Sequence, residues 1–102
     1  MKLIIKAAVY TILTMSLINV AHAGDADAGR KKASSCFSCH GVNGIGTNNQ
    51  NPNLAGQKKA YLIKATEAYR DGGRNDQVMK TLVKSLSDED IENIAAYYSE
   101  LK

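Results

Sequence analysis

Cys36-Phe37-Ser38-Cys39-His40 is the stretch whose residue types and spacing can do chemistry. Two thiols separated by two residues, followed directly by an imidazole, form the Cys-x-x-Cys-His pattern through which haem is attached covalently. The spacing suits that use: both thiols can add to the two vinyl groups of one porphyrin while the adjacent imidazole meets the iron from one face. Three other uses of paired cysteines fit less well. A thioredoxin-like redox couple needs a strand-rich βαβ context, and no run in this chain alternates as a strand does. Structural zinc takes four Cys or His ligands, whereas residues 24–102 contain only Cys36, Cys39 and His40. A disulfide between residues three apart closes a tiny loop and stabilises little.

The rest of the inventory sharpens the ligand set. Beyond residue 23, His40 is the only histidine and Met79 the only methionine. A six-coordinate haem iron needs a second axial donor, and a thioether opposite an imidazole is an established pair. The competing use of a lone methionine is as core filler. The haem motif, with no other His or Met to serve, favours Met79 as the second ligand.

The elements that must position these residues follow an expected export signal. Lys2 and Lys6 give a basic start, Ala7 to Ala21 an apolar run, and Ala21-His22-Ala23 a small-x-small cleavage site, so residues 1–23 read as a cleavable signal peptide and the mature chain as starting at Gly24. The run is diluted by Thr11, Thr14, Ser16 and Asn19 and falls short of the roughly twenty apolar residues of a spanning helix. No stable membrane span is expected after cleavage, and the periplasm is the expected compartment.

The whole chain carries thirteen Lys and Arg against ten Asp and Glu; without Lys2 and Lys6 the net charge drops from +3 to +1. Arg30-Lys31-Lys32 and Lys58-Lys59 are separated by acidic and amide residues, so no clustered basic surface points to nucleic acid. A domain of this size buries only a marginal core, and a bound group is expected to supplement it.

Asp25 and Asp27 are candidate N-caps for a first helix reaching to about Cys36, with Gly29, Ala33 and Cys36 on one thin apolar side. Gly41 to Gln57 has no sustained period and reads as a long loop, of the kind that is functional or wrapped around a bound group. Lys58 to Asp71 restores helical spacing, with Tyr61, Leu62, Ala65 and Tyr69 on one stripe, and Gly72-Gly73 is a stop. Arg74 to Met79 reads as a second loop, and Lys80 to Leu86 as one or two turns. Ser87, followed by Asp88, Glu89 and Asp90, starts a final helix carrying Ile91, Ile94, Ala95, Tyr98 and Leu101. The fold class is all-α, in one domain over 24–102.

These pieces, in this order and spacing, resemble the class I c-type cytochromes, in particular the short single-haem bacterial proteins and the half-domains of their dihaem relatives. The matching stretches are Gly-Asp-Ala-Asp-Ala-Gly at 24–29, Cys-Phe-Ser-Cys-His-Gly at 36–41, Pro-Asn-Leu-Ala-Gly-Gln at 52–57, Tyr61-Leu62, Tyr69, Gly72, Arg74, Met79, Leu86 to Ile91 and Ile94 to Tyr98. The resemblance implies three or four helices wrapped around one covalent haem c. It also implies that the Pro52 carbonyl accepts from the free ring nitrogen of His40 and that Leu54 packs on the porphyrin. Tyr61 and Arg74 become candidate partners of the haem propionates. In this family the first and last helices cross closely at a glycine beside an aromatic residue, roles that Gly29 and Tyr97 or Tyr98 fit. Ala33 departs from the bulkier apolar residue often found there.

With His40 and Met79 both on the iron, the expected role is one-electron carriage rather than catalysis. The expected partners are a cytochrome complex, oxidase, peroxidase or other periplasmic oxidoreductase, met by a monomer. The alternatives are a haem enzyme or gas sensor with an exchangeable sixth ligand, a small subunit of a larger oxidoreductase, and a thiol-disulfide protein without haem.

Overall fold

The computed structural model describes residues 24–102, so the expected signal peptide lies outside the described residues. Among the described residues every regular element is helical. Helix α1 (Ala26–Lys32) runs into a 3-10 segment (Ala33–Cys36) and α2 (Phe37–His40); α3 (Lys59–Asp71), α4 (Gln77–Val83) and α5 (Asp88–Glu100) follow. The count exceeds the three or four helices expected because the first splits at Ala33, where the tighter 3-10 turn rotates the next residues relative to α1.

Local chemistry sets the boundaries. The Asp25 carboxylate accepts from the backbone N–H groups of Asp27 and Ala28, which leaves Asp25 rather than Asp27 as the cap of α1. Gly72, in the left-handed conformation, ends α3 by donating to the Ala68 carbonyl. Ser87 and Asp90 form a reciprocal capping box at the start of α5.

Helix α4 corrects the sequence reading. The Asp76 carboxylate accepts from Val78 and Met79 N–H, both at 3.0 Å, so the helix starts at Gln77 and Met79 sits in its first turn instead of a loop. Helix α3 differs more mildly. Leu62 is buried, but Tyr61 is 51% exposed and lies off the buried stripe.

The core gathers around α5. Leu62, Ile94, Ala95, Tyr97 and Tyr98 pack with Ala33, which has no exposed surface. A small residue suits position 33 because α1 and α5 nearly touch. A Cβ built on Gly29 would overlap the Asn93 backbone carbonyl, so glycine is required there for close approach. The crossing expected at Gly29 is present, with the Asn93 backbone rather than an aromatic ring as its immediate neighbour. Asp25 N–H donates to Asn93 Oδ1 at 2.8 Å and adds a polar tie to the same crossing. At the N-terminus of α5, the Arg70 guanidinium meets Asp88 at 2.8 Å and the Leu86 carbonyl at 3.2 Å, fastening α3 to the α4–α5 connection.

Two predictions follow from these contacts. Gly29→Ala is expected to destabilise the purified protein by about 1–3 kcal/mol through overpacking, read as a lower midpoint in thermal denaturation; an unchanged midpoint would contradict the close crossing. The Asp90 carboxylate is held below its usual range, first by the Ser87 backbone N–H and further by the Ser87 hydroxyl and Lys32. A depressed carboxylate stabilises the fold above its unfolded value of about 4 and loses that contribution as the pH falls through the lower folded value. Asp90→Asn is therefore expected to melt below the parent at neutral pH, with the gap narrowing as the pH drops below about 4.

Candidate haem site

The 3-10 segment and α2 carry the motif. On a helical backbone residues at i, i+3 and i+4 share one face, which puts Cys36, Cys39 and His40 on the same side. Both cysteines are free and half-buried. Burial raises the Cys36 thiol above its usual pKa, outweighing the Ser35 hydroxyl that lowers it. Gly41, with a φ of 77°, stops α2 directly after His40 and turns the chain into the long loop.

His40 is buried, at 8% exposure. Its Nδ1 lies 2.9 Å from the Pro52 carbonyl oxygen. A carbonyl can only accept, so Nδ1 is the protonated nitrogen and Nε2 keeps its lone pair for a metal. The same bond orients the ring and raises its donor strength. Proline suits the role because its fixed φ limits where the carbonyl can point.

The loop that presents Pro52 is built from side-chain amides and glycine. The Gly44 carbonyl accepts from Leu54 N–H at 2.7 Å and Ala55 N–H at 3.0 Å, folding the loop back on itself. Asn43, Asn48 and Asn53 each accept from nearby backbone N–H groups, the turn chemistry for which short amides are suited. Gly44 has a φ of 76°, and a Cβ there would press on Ala55. The loop is tied to α5 at both ends: the Tyr97 hydroxyl donates to the Val42 carbonyl, and Gly56 N–H donates to the Tyr98 carbonyl at 3.0 Å. Thr47 clips the loop to the motif, its hydroxyl donating to the Ser38 carbonyl at 3.0 Å and its N–H to the Cys39 carbonyl at 3.0 Å.

The remaining expected site residues lie on the loop, on α3 and α4 and on the connection between them. Leu54 is partly buried against the core. Met79 is half-buried in α4, and α4 packs on α3. The exposed Arg74 holds its guanidinium 4.4 Å from the centre of the Tyr69 ring, a cation–π contact. Tyr61 is exposed on α3. Thr47, Asn53 and the Tyr97 hydroxyl were not singled out from the sequence; the run of Asn and Gly signalled turns, but nothing local said which carbonyls they would meet.

These residues fit haem. The motif offers two free thiols and a buried imidazole with one nitrogen available, and the adjoining loop exposes apolar surface at Val42 and Ile45.

The family model described as Cytochrome c matches residues 26–102. The chain belongs to the cytochrome c family. This cytochrome is 50% identical over 80 residues to cytochrome c-554(548) of Halomonas halodenitrificans, covering 76% of this chain and 96% of that one. It is 43% identical over 98 residues to cytochrome c4 of Pseudomonas aeruginosa, covering 95% of this chain and 49% of the relative. Among solved structures it superposes on reduced recombinant cytochrome c4 from Pseudomonas stutzeri with a TM-score of 0.75 and 40% identity, covering 78% of this chain and 47% of that one. The cytochrome thus spans about half the length of its c4 relatives. Its fold is the class I cytochrome fold, as expected. Its cofactor is covalently bound haem c, with Cys36, Cys39 and His40 standing in the Cys-x-x-Cys-His arrangement of the attachment motif.

Removing the clips should loosen the loop while leaving the side chains of Cys36, Cys39 and His40 unchanged. Thr47→Val is expected to cost about 0.5–1.5 kcal/mol of stability, and Tyr97→Phe a similar amount or more because the Val42 carbonyl loses its partner. Denaturant midpoints equal to the parent's would show that these bonds do not hold the loop.

Proposed function

We propose that residues 24–102 act as a periplasmic one-electron carrier, with one haem c held by Cys36 and Cys39 and its iron ligated by His40 and Met79. When bound, haem c supplies an Fe(III)/Fe(II) couple. The observation that carries this reading is the buried His40, oriented by the Pro52 carbonyl, on the same helical face as two free thiols.

Cys36 and Cys39 would hold the group covalently, each S–H adding across one vinyl double bond to give a C–S and a C–H bond with no net oxidation. His40 would hold the iron through Nε2 and Met79 through its thioether sulfur. With the iron held by both residues, no site would be open to O₂ or peroxide, and outer-sphere electron transfer is the chemistry the group would supply. A thioether favours Fe(II) relative to a second imidazole, which raises the reduction potential. Leu54 would pack on the porphyrin, and Tyr61 and Arg74 would serve its propionates.

The partners in this reading are a cytochrome complex, oxidase, peroxidase or other periplasmic oxidoreductase, met briefly through a small apolar contact of the kind electron-transfer proteins use. Export follows from residues 1–23 acting as a signal peptide. No helix among the described residues is long and apolar enough to cross a membrane.

Protein produced in a host that matures c-type haem is expected to gain the mass of one haem. It should show low-spin absorption bands with the weak methionine-to-iron charge-transfer band. Met79→Ala is expected to abolish that band, give high-spin haem and lower the potential. Loss of covalent haem in the parent would overturn the whole reading. An unchanged low-spin spectrum in Met79→Ala would overturn only the ligation.

A further inference from the structure

Asn43-Gly44 is the only place in the chain where asparagine precedes glycine. An asparagine so placed can lose its amide without an enzyme. The backbone nitrogen of the next residue attacks the side-chain amide carbon, the new C–N bond closes a succinimide ring, and ammonia leaves. Water then opens the ring at either carbonyl and gives aspartate or isoaspartate, with no change of oxidation state. Glycine speeds the first step, because it has no side chain to hinder the attack and its backbone is free to turn.

The fold surrounds this reacting pair with hydrogen bonds. Gly44 is buried, and its N–H, the attacking group, donates to the Gly41 carbonyl at 3.1 Å. Asn43 is exposed, but its carboxamide oxygen accepts from Ile45 N–H at 3.1 Å. On the preceding side, the carbonyl of the Val42–Asn43 peptide unit accepts from the Tyr97 hydroxyl. Attack requires the Gly44 nitrogen to give up its proton and the carboxamide to swing toward it. The bond to Gly41 occupies that proton, and burial keeps solvent bases away from it. The bonds from Ile45 and Tyr97 hold the carboxamide and its peptide unit in place. A segment held in this way reacts only from a locally opened form.

We propose that Asn43 is a deamidation site gated by the loop, shut while Tyr97 holds Val42 and open when the loop comes away from α5. The site is independent of the haem reading. Its product acts back on the loop, because isoaspartate routes the main chain through an extra methylene directly before Gly44. The Gly44 carbonyl accepts from Leu54 and Ala55 N–H, so the altered loop cannot regain the same closure.

The purified full-length protein, folded in one sample and held in denaturant in another at the same pH and temperature, provides the test. Deamidation is followed at each asparagine by mass spectrometry of its peptides. In denaturant, Asn43 is expected to react faster than Asn48, Asn53 and Asn75. In the folded protein its rate is expected to fall at least about tenfold, tracking the open population. Folded Tyr97→Phe should react roughly two- to tenfold faster than the folded parent, the gain in open population from the loss of one hydrogen bond. Thr47→Val, which frees the loop from the motif carbonyls, should shift the rate in the same direction and decides the matter if Tyr97→Phe does not accumulate. The isoaspartate form, separated by its added negative charge, is expected to melt below the parent. Equal rates at Asn43 in folded and denatured parent would overturn the gate, as would folded variants no faster than the parent. A denatured chain in which Asn43 reacts no faster than the other asparagines would overturn the site itself.

Discussion

The close crossing of α1 and α5, with Gly29 laid against the Asn93 carbonyl, is the constraint on which the remaining structure depends. It brings α5 near enough to the motif-bearing segment for Ala33 to be fully enclosed and for Phe37 to pack 6.2 Å from the Tyr97 ring. Tyr97 and Tyr98 on that helix then hold the two ends of the long loop, one through its hydroxyl and one through its carbonyl. The loop in turn delivers the Pro52 carbonyl to His40. A backbone contact between two helices thus governs the tautomer of an imidazole that neither helix carries.

The loop shows how a chain orders seventeen residues without a helix or strand. Several of its backbone N–H groups find partners in Asn43, Asn48, Asn53 and the Gly44 carbonyl, in place of a helix or strand ladder. The apolar side chains at its rim, Val42 and Ile45, stay exposed. Their placement beside the motif agrees with a domain whose polypeptide core is small and whose haem completes it.

Much of the site was legible from particular residues. Cys36, Cys39 and His40 declare themselves by spacing, Ser87 with its following acids marks the start of α5, and the Gly72 stop falls where the left-handed cap appears. Other features were hidden for physical reasons. The start of α4 turned on whether the Asp76 carboxylate would reach two amide N–H groups, a choice that polar neighbours Arg74 and Asn75 leave open. Tyr61 and Leu62 are adjacent apolar residues, and only the direction from which α5 approaches α3 decided that Leu62 goes inward.

The sequence by itself determined the chemistry: the thiol–imidazole motif, the one methionine beyond residue 23, the helical class and the caps are all legible from residue types and their local spacing. Tertiary structure decided the partners across distance. Thr47 on the motif carbonyls, Tyr97 on Val42 and the unpaired hydroxyl of Tyr98 depend on where one helix axis lies against another. That placement is set by packing summed over the whole core, which no local pattern encodes.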